Sequence, residues 1–448
     1  MSNDWSSFTP QRVRTLPRYT DAHAPGFLVW AKIDHACLYR HDLAELLSEE
    51  PSTAELERSG DECRKAVAAA KARIRHAVRE LRICGIRRIC TGVSWCDMHC
   101  MPGAHAWVRW YLEAFAEHFE VLPRVTFTPP PLTEGGKYTI NAAPAEPVAY
   151  AEFLHGLLEE FGDLFGDYVE LWNEWNIVTD WQVDLDPGYQ TFMTMIACGA
   201  LVAHHHGKEA VLGGMTGVSD ENACGLVNFA THGLFRYIDV VGFHDLRGTW
   251  SDDVPSASIP EQVQYVRTAI SFPPAKHAWL LASVEQAALR ANGETQRVIH
   301  EQQFRLRKAD DLPDVWLTEY GFPVVDPDQK FSEQHLQDIQ LALFAYLADC
   351  IRSGALTRGY WYTFQDFVGE SVRKHTTGWE DVLQHYYGIV CEQGECRLLG
   401  TLLKWGGPHS VHRYALQHEL FSLVDAASLG RSRPTGYQPG RTEEILPP

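Results

Sequence analysis

Residues 148–174 read VAYAEFLHGLLEEFGDLFGDYVELWNE, and the fold follows from how this stretch changes period. Val148–Phe161 repeats apolar residues at three- and four-residue steps, as an amphipathic helix does. Tyr168–Glu174 is instead a short aromatic and apolar run that ends in polar Asn173 and Glu174, with no hairpin turn behind it. A helix followed at once by such a strand is half of a βαβ unit, which implies a parallel sheet.

The same alternation extends in both directions. Strands are expected at Gly26–His35, Ile86–Trp95 and Val121–Pro129 before Tyr168–Glu174, and at Ala210–Met215, Ile238–His244, Val315–Tyr320 and Gly359–Gln365 after it. Helical periodicity lies between them at Asp61–Leu81, Tyr189–His205, Gly225–Phe235 and His335–Ser353. Eight such units predict an α/β fold, a closed (β/α)8 TIM barrel, in one domain. No GxGxxG follows the first strand, which argues against an open dinucleotide-binding sheet. The barrel is expected over residues 26–432, behind an N-terminal extension at 1–25 and ahead of a polar, Pro/Gly-rich tail at 433–448. The long interval 247–313 between strands six and seven predicts an insertion over the C-terminal face, where barrels shape their pockets.

With 448 residues, 45% hydrophobic and 22% charged, the chain has the composition of a globular protein with a large core. Its net charge of −19 repels phosphate backbones and anionic membranes, so nucleic acid and membrane are not expected partners. No run of about 18 apolar residues suggests a membrane span. No secretory h-region follows Arg12, Arg14 and Arg18, and there is no Asn-x-Ser/Thr sequon. Eleven cysteines, an odd number without a framework, point to a reducing cytoplasm.

Two glutamates carry the chemistry. Glu174 ends the fourth strand between Trp172 and Trp175, and Glu319 ends the seventh in Thr318-Glu319-Tyr320-Gly321. Strand ends at the C-terminal face build a barrel's active site, and strands four and seven face one another across the mouth. Either residue alone could be a solvated or salt-bridged carboxylate. Together they match the pair that cleaves a glycosidic bond. Indole rings around Glu174 would desolvate it and raise its pKa, as a general acid requires. A spacing of about 5–5.5 Å would let the other carboxylate attack the anomeric carbon with retention.

The pairing of Asn173-Glu174 with Thr318-Glu319-Tyr320-Gly321 resembles the clan A glycoside hydrolases, most of all the β-xylosidase and α-L-iduronidase group and bacterial barrels similar to it. The resemblance spans the eight-strand frame. It implies Glu174 as acid/base, Glu319 as nucleophile and Asn173 as a donor to the sugar 2-hydroxyl. It further implies Trp361 beneath the −1 sugar and His244 against the nucleophile. Tyr387-Gly388-Ile389-Val390 and Lys404-Trp405 resemble the clan's closing stretch. Trp175 departs from the pattern, since a proline commonly follows the acid/base. A small β-linked glycoside or oligosaccharide is the expected partner.

By position, Asp34, His35, Trp95, His99, Trp175 and Gln365 are further candidates for substrate binding, with Asp97, Asp245, Arg247 and Asp366 close to them in sequence. No cofactor and no metal is expected. Cys90, Cys96, His99, Cys100 and His105 lack the second ligand pair of a structural zinc site. His204-His205-His206 reads as the polar end of a helix. Cys391 and Cys396 could face each other across a hairpin at Gly394. Two other classes stay open at this level: a non-hydrolytic sugar-binding barrel, and a transglycosylase using the same two glutamates.

Overall fold

The computed structural model describes residues 24–136, 138–247, 258–308, 311–325, 331–366, 386–391 and 394–424. The tail at 433–448 and all but the last two residues of the extension at 1–25 lie outside them. Eight strands form one closed barrel in chain order: β1 (Gly26–Leu28), β2 (Arg88–Ser94), β3 (Glu120–Thr126), β4 (Tyr168–Leu171), β5 (Glu209–Thr216), β6 (Val240–Leu246), β7 (Asp314–Gly321) and β8 (Gly359–Trp361). Every neighbouring pair is parallel, and β8 closes onto β1 through Phe27 and Trp361. The eight expected strands are therefore present, and the fold is a (β/α)8 barrel.

The boundaries differ at strand ends. β1 stops at Leu28, and Asp34, expected at its end, instead caps a short helix His35–Leu38 by accepting the Ala36 amide. Trp95 to Cys100 form a helix directly after β2, capped by Ser94. The expected helix Gly225–Phe235 runs Asp220–His232, because Gly233 at φ 80° ends it in a left-handed turn. Among the described residues between β6 and β7 are the helices Ile259–Ile270, His277–Ala288 and Gly293–Gln302. Among the described residues, no helix is long and apolar enough to cross a membrane.

Apolar residues on the outer strand faces meet the helical layer in one continuous core, to which helix Gln190–His205 contributes ten buried side chains. The barrel interior is filled separately. At its base the Arg358 guanidinium lies over the rings of Tyr168 and Trp316, 4.5 and 4.7 Å from their centroids. Leu28, Cys90, Leu122, Val211, Val240 and Tyr360 pack in the same interior layer group. Strand alternation then sends the next inward positions toward the C-terminal mouth.

Candidate active site

Local backbone geometry aims both glutamates into the mouth. After β4, Trp172 takes φ 73° and Glu174 φ 29°, left-handed values that cost energy for residues with a Cβ. Hydrogen bonds hold that turn in place: the Trp172 amide donates to Val125 O at 3.0 Å, and the Glu174 amide to Gly214 O at 2.9 Å. Gly213 is required beneath it, since a Cβ there would lie 2.2 Å from the Trp172 carbonyl oxygen. On the opposite side, the β6–β7 register shifts between Phe243 and His244, so that His244 pairs with Glu319. The shift, an irregularity of the kind that re-aims side chains near active sites, brings imidazole and carboxylate onto one face.

His244 joins the two. Its Nδ1 lies 2.7 Å from Glu174 Oε1 and 3.7 Å from Glu319 Oε2. One oxygen of each glutamate and one nitrogen of His244 all lie within 4.8 Å of each other. Glu319 and His244 are buried, and the Glu174 side chain is 15% exposed. Desolvation raises the pKa of both carboxyls. Burial lowers that of His244, which favours a neutral ring.

The two glutamates differ in their contact with a cation. Arg124, buried in the barrel, bonds Glu319 Oε1 through Nη1 and Glu170 Oε2 through Nε at 2.8 Å. The guanidinium opposes the rise at Glu319 directly, whereas Glu174 feels Arg124 without bonding it. Glu319 is thus the better placed to be ionised and Glu174 to keep a proton. Glu170 is the counterion that lets Arg124 remain buried, and Cys90 Sγ lies 3.6 Å from its Oε2. The trio Glu174, His244 and Glu319 has the donor set of a metal site, but the bonded guanidinium already supplies positive charge at Glu319 and would repel a cation there.

Asn173 sits beside this centre. Its Nδ2 donates to Asp180 Oδ1 at 2.8 Å, while its buried Oδ1 has no partner among the described residues. Burial, with Glu174 nearby, pushes Asp180 up to about 6.

The three tryptophans expected to contact substrate do not reach the mouth. Trp361 is fully buried against Phe344 of helix Glu333–Arg352 and Tyr320, at 5.3 and 5.8 Å between ring centroids. Alternation along β8 explains this correction: Tyr360 and Tyr362 point inward, so Trp361 points to the helices. Tyr362 takes the inward place, and burial with Glu319 close by raises its pKa well above the ordinary tyrosine value, keeping the hydroxyl protonated. Trp175 packs among Tyr189, Phe192 and Phe229, and Trp95 against Tyr150 and Phe153; both are core residues. Trp172, not Trp175, spans the turn to Glu174, with its indole N–H bonded to Asp180 O.

Asp34, His35 and His99 are exposed, Asp34 capping and His35 starting the short helix after β1 and His99 on the short helix after β2, and His35 Nε2 is 3.3 Å from Asp97 Oδ1. His35 and Asp97 help line a cavity of about 270 Å³ with Trp30, Lys32 and Phe127. Gln365 is half-buried and donates to Cys391 O at 3.4 Å. Asp245 binds Arg247 at 2.9 Å, and Asp366 binds Arg397 at 2.6 Å, both as buried structural pairs. Cys391 and Cys396 are free thiols, as are the other nine cysteines.

Sequence reasoning missed Arg124, Glu170, Asp180 and Tyr362. Arg124 and Glu170 were visible as charged residues inside otherwise apolar strands, VLPRVTFTP and YVELW. In a barrel whose outer face is buried, such residues face inward.

No protein-family model matches the chain, and neither does any curated protein. Solved structures do. The GH39 enzyme from Xanthomonas axonopodis pv. citri superposes with a TM-score of 0.51 at 15% identity, covering 87% of this chain and 67% of that one. The AHE enzyme from Alicyclobacillus herbarius gives 0.48 at 12% identity, over 94% and 100% of the two chains. A β-glucosidase from Thermotoga maritima in complex with cyclophellitol gives 0.45 at 14%, over 91% and 99%. At this distance the likeness is one of fold, and it is the GH39 enzyme's (β/α)8 barrel that this chain shares.

Proposed function

We propose that the chain is a retaining O-glycoside hydrolase of the clan A type, with Glu319 as nucleophile and Glu174 as general acid/base. The observation that carries the reading is the pair itself: two strand-end carboxyls with oxygens within 4.8 Å, of which only Glu319 is bonded to a cation. Inverting enzymes need about 6.5–9.5 Å between the carboxyls to admit a water, and retaining enzymes about 5–5.5 Å.

In the first step a Glu319 oxygen bonds to the anomeric carbon as the bond to the departing oxygen breaks. Glu174 gives that oxygen its proton. In the second step water attacks the same carbon, returns a proton to Glu174 and frees the Glu319 carboxylate. Two inversions restore the original configuration. His244 fixes the Glu174 carboxyl, Arg124 holds Glu319 ionised, and Asn173 and the Tyr362 hydroxyl are the polar groups offered to the sugar. The substrate we infer is a small β-linked glycoside, a β-xyloside first among the candidates, on the sequence resemblance. Eleven cysteines, none paired among the described residues, suit the cytoplasm.

A panel of 4-nitrophenyl glycosides assayed with wild type and Glu319→Ala tests the reading. Activity on one sugar that disappears in the variant supports it and names the sugar. Silence of the wild type across the panel, with sugar binding retained in calorimetry, would replace it with a sugar-binding barrel.

A further inference from the structure

Far from the mouth, in the helical layer, the fold assembles a second group of ionisable side chains that the reaction does not use. His155 lies on helix Val148–Phe161 and is buried. One turn later on the same helix is Glu159, whose Oε1 is 3.6 Å from His155 Nε2. Glu294, on helix Gly293–Gln302 between β6 and β7, places Oε2 3.9 Å from the same nitrogen. The three ligating atoms lie within 4.8 Å of one another, yet His155 Nε2 is buried and makes no hydrogen bond.

We infer that His155, Glu159 and Glu294 form a binding site for a divalent transition cation such as Zn²⁺, which ties the segment between β6 and β7 to the body of the barrel.

Geometry supports this on three counts. A tetrahedral ion with ligands at about 2.1 Å sets neighbouring ligand atoms about 3.4 Å apart, and the nitrogen-to-oxygen separations of 3.6 and 3.9 Å need little adjustment. Both glutamates are more than half exposed in their side chains, so they are free to close that difference and to leave a fourth position for water. The far side of the imidazole is already held: His155 Nδ1 lies 2.8 Å from His206 Nε2. When His155 donates through Nδ1, its Nε2 presents a lone pair toward the two carboxylates, which is how a neutral histidine binds a metal with an outer partner fixing the tautomer.

The position also has a mechanical sense. The segment leading into Gly293–Gln302 already meets this part of the barrel twice, through Arg290 with Glu146 just before helix Val148–Phe161 at 2.5 Å and through the Asn292 amide, which donates to Glu152 on that helix at 2.6 Å. An ion held by Glu294 and His155 would add a third link along the same seam. None of these residues touches the Glu174–Glu319 centre, so the site is independent of the proposed reaction.

The test is calorimetric titration of zinc chloride into the metal-stripped full chain, beside Glu294→Gln and Glu159→Gln. Both substitutions are at exposed positions and preserve shape, so folding is not at stake. Because exposed Cys100 and Cys224 can also take zinc, the readout is a difference. Wild type is expected to bind one more equivalent than either variant, and zinc to raise its melting temperature by several degrees more. His155→Gln should match the variants. Equal stoichiometry and equal zinc-dependent stabilisation in wild type and both glutamate variants would overturn the site and leave His155 as a partner of its two carboxylates alone.

Discussion

The imidazole of His244 is bonded to the Glu174 carboxyl, Nδ1 to Oε1 at 2.7 Å, inside a site where the ring itself is 1% exposed. A buried ring so placed fixes the carboxyl's rotamer more than it binds sugar. His244→Asn should therefore lower kcat roughly 10- to 100-fold with little change in KM, the pattern of a group whose effect is felt in the transition state. Steady-state kinetics on the best aryl glycoside checks this, and a change confined to KM would remove His244 from the positioning role.

Arg124 is shared between Glu319 and Glu170, and the sharing predicts opposite pH shifts. The acidic limb of the kcat/KM profile reports ionisation of the nucleophile. Arg124→Met removes the cation, so Glu319 gains its charge only at higher pH and the acidic limb moves up. Glu170→Gln leaves the guanidinium to Glu319 alone, and the limb moves down. Arg124→Met should also cost about 3–5 kcal/mol of stability, because Glu170 is left buried and unpaired. Profiles shifting in the same direction would show that Arg124 does not tune Glu319.

Gly214 lies directly under the site. A Cβ there would come within 2.2 Å of His244 Nε2 and 2.5 Å of Thr318 Oγ1. His244 is enclosed and cannot retreat. Gly214→Ala should then lower kcat at least about tenfold, as a displacement of ~1 Å in a positioned group does. Far-ultraviolet circular dichroism should show the barrel still folded.

How much of this was legible beforehand depended on the physics of each signal. Strand periodicity and polar strand ends are local, and they placed Glu174 and Glu319 at the ends of β4 and β7. Which face a side chain takes depends on register: the resemblance implies Trp361 beneath the sugar, whereas β8 alternates and Tyr362 holds the inward position. Trp175 and Trp95 are pocket candidates by position along the chain alone, but large rings near strand ends also fill the space between strand and helix. The His155 cluster was invisible for a different reason. Glu159 follows His155 by one helical turn, but His206 and Glu294 meet them only because three separate stretches of chain pack together, and no spacing in the sequence records that.

Asp180 offers a test in stability. Its pKa is pushed up to about 6 in the folded chain, above the unfolded value of about 3.9. A raised value means the native state holds the proton more tightly. The contribution is complete below pH ~4 and is lost as pH rises through 6. Asp180→Asn has no such loss and still accepts from Asn173. Relative to wild type it should gain roughly 2 kcal/mol between pH 4 and pH 8, measured by urea unfolding at the two values. An unchanged difference would mean Asp180 is ionised throughout that range.

The most direct measurement concerns the bond Glu319 is said to form. Incubation with a 2-deoxy-2-fluoro glycoside carrying a dinitrophenolate leaving group slows both steps, and the good leaving group lets the first proceed. Intact-protein mass spectrometry should then show one added glycosyl unit, and peptide mapping should place it on Glu319, with none on Glu319→Gln. A label on another carboxylate, or turnover of the parent glycoside in Glu319→Gln at near wild-type rate, would contradict the account.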